Sequence, residues 1–221
     1  MFTQCSGVRI PRFANKKSAE ALVGTLSRPS KMPCHGYSLP ASACQVGSRL
    51  SLRPNTPCFK CYAKKGRFVF PNVQRAMEKR LSSINDPNWV DAMIYLIERT
   101  NNTYFRWHDS GDIQSLQHLA KIVTVAEALP HVQFWLPTQE YGYVTEHLKQ
   151  RGKFPRNLTV RVSSPIVDRI SKVSRFATSA VIRSTEHASG HICPAPQQNN
   201  QCGECRACWD GSVANVCYIE H

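Results

Sequence analysis

The stretch that most constrains this chain runs from Cys34 to Cys61, where Cys34, Cys44, Cys58 and Cys61 stand at C-x9-C-x13-C-x2-C. Pro33, Gly36, Pro40, Gly47, Pro54 and Pro57 fall in or beside it, a density of breakers that excludes a long helix or strand and predicts a wrapping loop. Such a loop needs a staple. The Cys58-Phe-Lys-Cys61 turn can present two thiolates to one metal, and the two upstream cysteines would close the shell, so the loop reads as metal-binding.

A second set, Cys193, Cys202, Cys205 and Cys208, is spaced C-x8-C-x2-C-x2-C. Zinc sites usually take two separated C-x2-C knuckles, whereas compact C-x2-C-x2-C with a remote fourth cysteine is an iron–sulfur pattern. Two 4Fe-4S clusters are therefore the expected cofactors, with zinc as the alternative. A disulfide scaffold is the other reading of ten cysteines, but a chain of 221 residues, 42% of them hydrophobic, does not need staples to fold. No apolar run approaches the roughly 20 residues of a membrane span. The first residues, with Cys5, Arg9, Arg12, Lys16 and Lys17, lack the apolar centre of a signal peptide. The expectation is a cytoplasmic protein with no membrane partner. Cys5 and Cys217 are left over and read as small buried residues.

Downstream of the loop the pattern is regular. Near the start, Val8 to Ile10 reads as a strand, while Ala21 to Leu26 fits strand or helix. A basic helix is expected around Val73 to Leu81. Asp86-Pro87 reads as a helix start, followed by Trp89, Val90, Met93, Ile94 and Ile97 at helical spacing. Strands at Thr103 to His108, Val132 to Leu136, Leu158 to Ser163 and Ala177 to Ile182 alternate with helices at Leu116 to Leu129 and Tyr143 to Gln150. This predicts an α/β fold, either a partial (β/α) barrel or an open parallel sheet. Residues 1–184 would form the α/β domain with its metal loop, and residues 185–221 a cysteine-rich metal-binding segment packed on it.

Within Tyr104 to Asp112, strand alternation places Tyr104, Arg106 and His108 on one face and Phe105 and Trp107 on the other. Asp109 and Asp112 follow at the strand's carboxyl end, where parallel sheets bind ligands. Glu140 and Arg161 occupy similar positions near the ends of the next two strands. Arg106, His108, Asp109, Asp112, Glu140 and Arg161 are thus candidate catalytic residues around a rim pocket. The bland alternative is that Arg106 pairs with Asp109 or Asp112, that Glu140 caps the next helix, and that Arg161 is its ion-pair partner. With 28 Lys and Arg against 15 Asp and Glu, a formal +13, the chain also suits a polyanionic partner such as nucleic acid.

The residues Cys58-Phe-Lys-Cys61-Tyr-Ala, Arg106-Trp-His-Asp-Ser-Gly-Asp112, Trp135-Leu-Pro-Thr-Gln-Glu140 and Cys202-x2-Cys205-x2-Cys208-Trp209 together resemble the phage "gene product 88" type of protein. The likeness extends from about Met32 to His221. It implies a phage-encoded protein working in a host cytoplasm and brings no activity with it. More distantly, the C-x2-C-Tyr-Ala loop ahead of alternating strands and helices is similar to radical SAM enzymes. That similarity implies a partial barrel holding a four-iron cluster near its open rim, with S-adenosylmethionine as cofactor. Those enzymes mostly use C-x3-C-x2-C and leave one iron free, whereas here a fourth cysteine is available, and a fully ligated cluster cannot chelate the cofactor without losing a ligand. Two functions follow from the sequence. One is a radical SAM-like or redox enzyme acting at the rim. The other is a non-catalytic module, stabilised by zinc or iron–sulfur, that binds nucleic acid or a host protein.

Overall fold

The computed structural model describes residues 13–171 and 175–220. Seven strands make one all-parallel sheet: β1 (His35–Tyr37), β2 (Tyr104–Trp107), β3 (Gln133–Thr138), β4 (Leu158–Ser163), β5 (Ala177–Ile182), β6 (His191–Ile192) and β7 (Asn215–Ile219). Their order is β1-β2-β3-β4-β5-β7-β6, ending at β1 and β6 without closing. The open parallel sheet is the form adopted, and the radical SAM-like barrel gains no support. The described helices are α1 (Lys16–Val23), α2 (Gln45–Leu50), α3 (Pro71–Ser83), α4 (Trp89–Glu98), α5 (Leu116–Ala128) and α6 (Tyr141–Arg151). None is long and apolar enough to cross a membrane.

Local chemistry accounts for most boundaries. Asn15 and Ser18 cap α1 reciprocally, which settles the Ala21 to Leu26 stretch as the end of a helix followed by extended chain. The Ser115 hydroxyl accepts the His118 N–H at 3.0 Å and starts α5, whose Leu119, Ile122, Val123 and Ala126 are buried. At α4 the expectation is off by two residues. Asn88 takes the cap position, while the Asp86 carboxylate accepts the Asn88 N–H at 2.8 Å and shapes the turn ahead of it. The cysteine loop contains only short pieces, β1, α2 and the 3-10 turn Ala41–Ala43, as its prolines and glycines require. The expected strand at Val8 to Ile10, and Cys5, lie outside the described residues.

The two faces of the sheet have different covers. Phe105, Trp107, Phe134, Leu136, Leu158, Val160 and Val162 share one core with buried residues of α1, α4, α5 and α6. Strand alternation turns Tyr104, Arg106, Trp135, Thr159 and Arg161 the other way. That open face is covered by the segment around Trp209, whose ring lies 5.4 Å from Tyr104 and 5.3 Å from Trp135. The Trp209 indole N–H donates to the Phe105 carbonyl at 2.9 Å, and Thr159 donates to the Trp209 carbonyl at 2.7 Å. Residues beyond 184 therefore do more than pack on the sheet, since they also supply β6 and β7.

Candidate metal centres

The nine described cysteines are all free thiols, and eight are drawn to two places. At the carboxyl rim, Cys44 precedes α2 and faces the Cys58-Cys61 turn across Gly47. A Cβ on Gly47 would stand 3.6 Å from the sulfurs of both Cys44 and Cys58, so the glycine lets the two thiols approach one helix turn. Burial pushes the Cys44 thiol up to about 12 and the Cys58 thiol to about 11, with the negative charge of Asp112 and neighbouring thiols adding to it. A bound cation would reverse that preference by stabilising thiolates.

The second place is the open face. Cys34 lies there, away from the rim, sharing a buried cluster with Trp135, Trp209, Met32 and Cys208. Burial raises the Cys34 thiol to about 12, with Arg106 opposing the rise and Cys202 adding to it. The Cys202 thiol is likewise raised by burial and by Cys193, and Cys208 reaches about 11 through burial. Cys208 Sγ meets the Tyr218 hydroxyl at 3.2 Å, and Cys205 Sγ meets His191 Nε2 at 3.3 Å. The sequence sets of four are thus regrouped, because Cys34 precedes β1 while Cys44, Cys58 and Cys61 follow it. Among the described residues, no three Cys, His, Asp or Glu side chains close around a single-ion site. Cys217 is fully buried beside Ala180 and Ile182, the small buried residue expected of it.

The candidate catalytic residues do not share one pocket. Asp112 ties two strand ends together: its carboxylate accepts from the Ile113 N–H, the Thr138 hydroxyl and the Gln139 N–H at 2.6 to 2.8 Å. Glu140 stands at the cap position of α6 but leaves that helix uncapped, accepting the Val46 N–H at 2.8 Å and locking α2 to the rim. Asp109 accepts from the Ser38 hydroxyl through its side chain and from Tyr62 through its carbonyl. Arg106 lies over the Trp135 ring, 4.4 Å from its centroid, and donates to Tyr62 at 3.4 Å.

Two candidates lie elsewhere. His108 follows the last residue of β2 with φ +53°, so alternation no longer applies, and its ring bonds the Tyr37 carbonyl at 3.1 Å beside Trp107 and His118. Arg161 is fully buried and gives its N–H groups to five carbonyls, those of Thr178, Ala207, Cys208, Asp210 and Val213. Neither the expected ion pair with Glu140 nor a place on the rim remains to it. Tyr62, His191 and Tyr218, which touch these groups, had no sequence signal beyond their closeness to cysteines.

An open all-parallel α/β sheet with thiols on its carboxyl rim and on the face opposite its helices defines a cysteine-rich α/β protein. The family model described as Gene product 88 matches residues 9–211, and the chain belongs to that family. No curated protein and no solved structure gives a significant match. The distant likeness to radical SAM enzymes finds no support in the family match.

Proposed function

We propose that this chain is an iron–sulfur protein carrying two four-iron clusters, one at the carboxyl rim and one on the open face, which serve redox chemistry. The observation that carries this reading is the gathering of eight free thiols, separated by up to 174 positions in sequence, at two places on one sheet. Thiolates are the usual ligands of such clusters, and Cys58 and Cys61, three residues apart, can present two of them from a single turn. Protein purified without oxygen should contain iron and acid-labile sulfide in equal amounts and absorb broadly near about 400 nm. Stoichiometric zinc with neither iron nor sulfide would sink the proposal.

A partner is suggested by one exposed stretch of the chain. Between residues 49 and 79, Arg49, Arg53, Lys60, Lys64, Lys65, Arg67, Arg75 and Lys79 are exposed, with Glu78 as the one acidic residue. Phe59, Tyr62 and Phe70 are about half exposed among them. Cationic groups interleaved with exposed rings suit single-stranded nucleic acid, whose phosphates and base faces they meet together.

A further inference from the structure

The open face gathers more thiols than residues 193 to 208 supply, because Cys34 joins them from the far end of the sheet's first strand. The fastening is direct. The Cys202 N–H donates to the Lys31 carbonyl at 3.0 Å, which brings residues 31 to 34 against the cysteine-rich segment. Cys34 and Cys208 then meet in one apolar cluster with Trp135 and Trp209. On the other side of that segment, the Cys193 N–H donates to the Cys217 carbonyl at 2.8 Å and places Cys193 beside β7.

Arg106 stands among these thiols, stacked on Trp135 but poorly supplied with hydrogen-bond acceptors. Its Nε is buried without a hydrogen-bond partner, Nη1 reaches only the Met32 sulfur at 3.6 Å, and Nη2 reaches Tyr62 at 3.4 Å. Arg161, on the same face, satisfies five donors. A partly buried guanidinium bonded this weakly is stabilised by an anion beside it. Four thiolates around an iron–sulfide cube make a net anion, so the unmet cation and the ligand set complement each other.

Building on the iron–sulfur reading, we propose that Cys34, Cys193, Cys202 and Cys208 ligate the open-face cluster, that Arg106 is its counter-charge, and that Cys205, held by His191, stays outside the shell. The rim centre then keeps Cys44, Cys58 and Cys61, with no further cysteine beside them among the described residues. The test starts from Cys58→Ser protein, reconstituted without oxygen, in which the open-face centre alone remains. Adding Cys34→Ser should lower the remaining iron and sulfide several-fold, as adding Cys208→Ser does, while adding Cys205→Ser leaves them unchanged. Iron that survives Cys34→Ser, or is lost equally with Cys205→Ser, overturns the ligand set and leaves the iron–sulfur reading standing. A wild-type protein without iron and sulfide defeats that reading itself. Arg106→Gln, which spares every thiol, should move the midpoint potential of the open-face cluster to more negative values and leave the rim cluster's unmoved. An unchanged potential rejects the counter-charge.

Discussion

Asp112 and His108 follow β2 within a few residues and are both buried, yet burial moves their protons in opposite senses. It lifts the Asp112 carboxyl to about 7 against the three donors aimed at it, and it drops the His108 imidazole to about 4. A carboxyl raised above its ordinary 3.8 contributes stability that is present below that value and lost as pH rises toward 7. A histidine lowered from 6.5 contributes stability that is present above that value and lost as pH falls through about 4. Between about pH 4 and 6.5 the two slopes oppose each other, and His118, buried against His108 and also lowered, adds to the histidine side. Asp112→Asn should steepen the rise of stability with pH in that range, and His108→Gln should make it shallower than the parent's. Each change should reach a few kcal/mol, since a tenfold change in proton affinity is worth about 1.4 kcal/mol. Denaturant unfolding at about pH 4.5, 6 and 7.5 reads this directly. Variants that keep the parent's profile would show that the two protons are not displaced. The sequence located both residues but not their neighbours. Alternation carries a side chain's direction only while the strand continues, and the left-handed backbone at His108 lies one residue past that point. For Arg161 the sequence placed the residue near a strand end, and long-range packing decided what the guanidinium would meet there.

At the scale of elements, the stretch from β2 through β5 was legible because its apolar spacing is local and long enough to show a period. β1, β6 and β7 were not. β1 and β6 have three and two residues, and β7 is defined by pairing with β5 across the cysteine-rich segment, which no local pattern encodes. That segment owes its path to Arg161, whose five carbonyl partners include four between Ala207 and Val213. Lysine offers three donors on a flexible stem and cannot reproduce the planar fork. Arg161→Lys should therefore cost about 3–5 kcal/mol, the scale for breaking a buried charged network. It should also speed amide exchange in residues 193 to 213 while β2 to β4 stay protected. Exchange rates like the parent's in that segment would show that Arg161 does not hold it.

Taken as a whole, the molecule carries a formal +13, and eight of its exposed cations lie between residues 49 and 79, the stretch that holds the rim thiols Cys58 and Cys61. If that surface takes single-stranded nucleic acid, affinity for an oligonucleotide should fall steeply with salt. Replacing Lys64, Lys65 and Arg67 by Glu should weaken binding by at least about tenfold and flatten the salt slope. Equal, salt-insensitive retention of parent and variant would rule the surface out. The strand order has a consequence in time as well as in space. β7 lies between β5 and β6, so β6 has no sheet neighbour until residues 215 to 219 have been synthesised. The Trp209 segment likewise reaches the open face only after its own translation. At roughly 5–20 residues per second, the interval between the end of β5 and the start of β7 lasts a few seconds. During it Tyr104 and Trp135 lack the cover that will later exclude water, and a nascent chain stalled there would offer an aromatic face to any chaperone nearby.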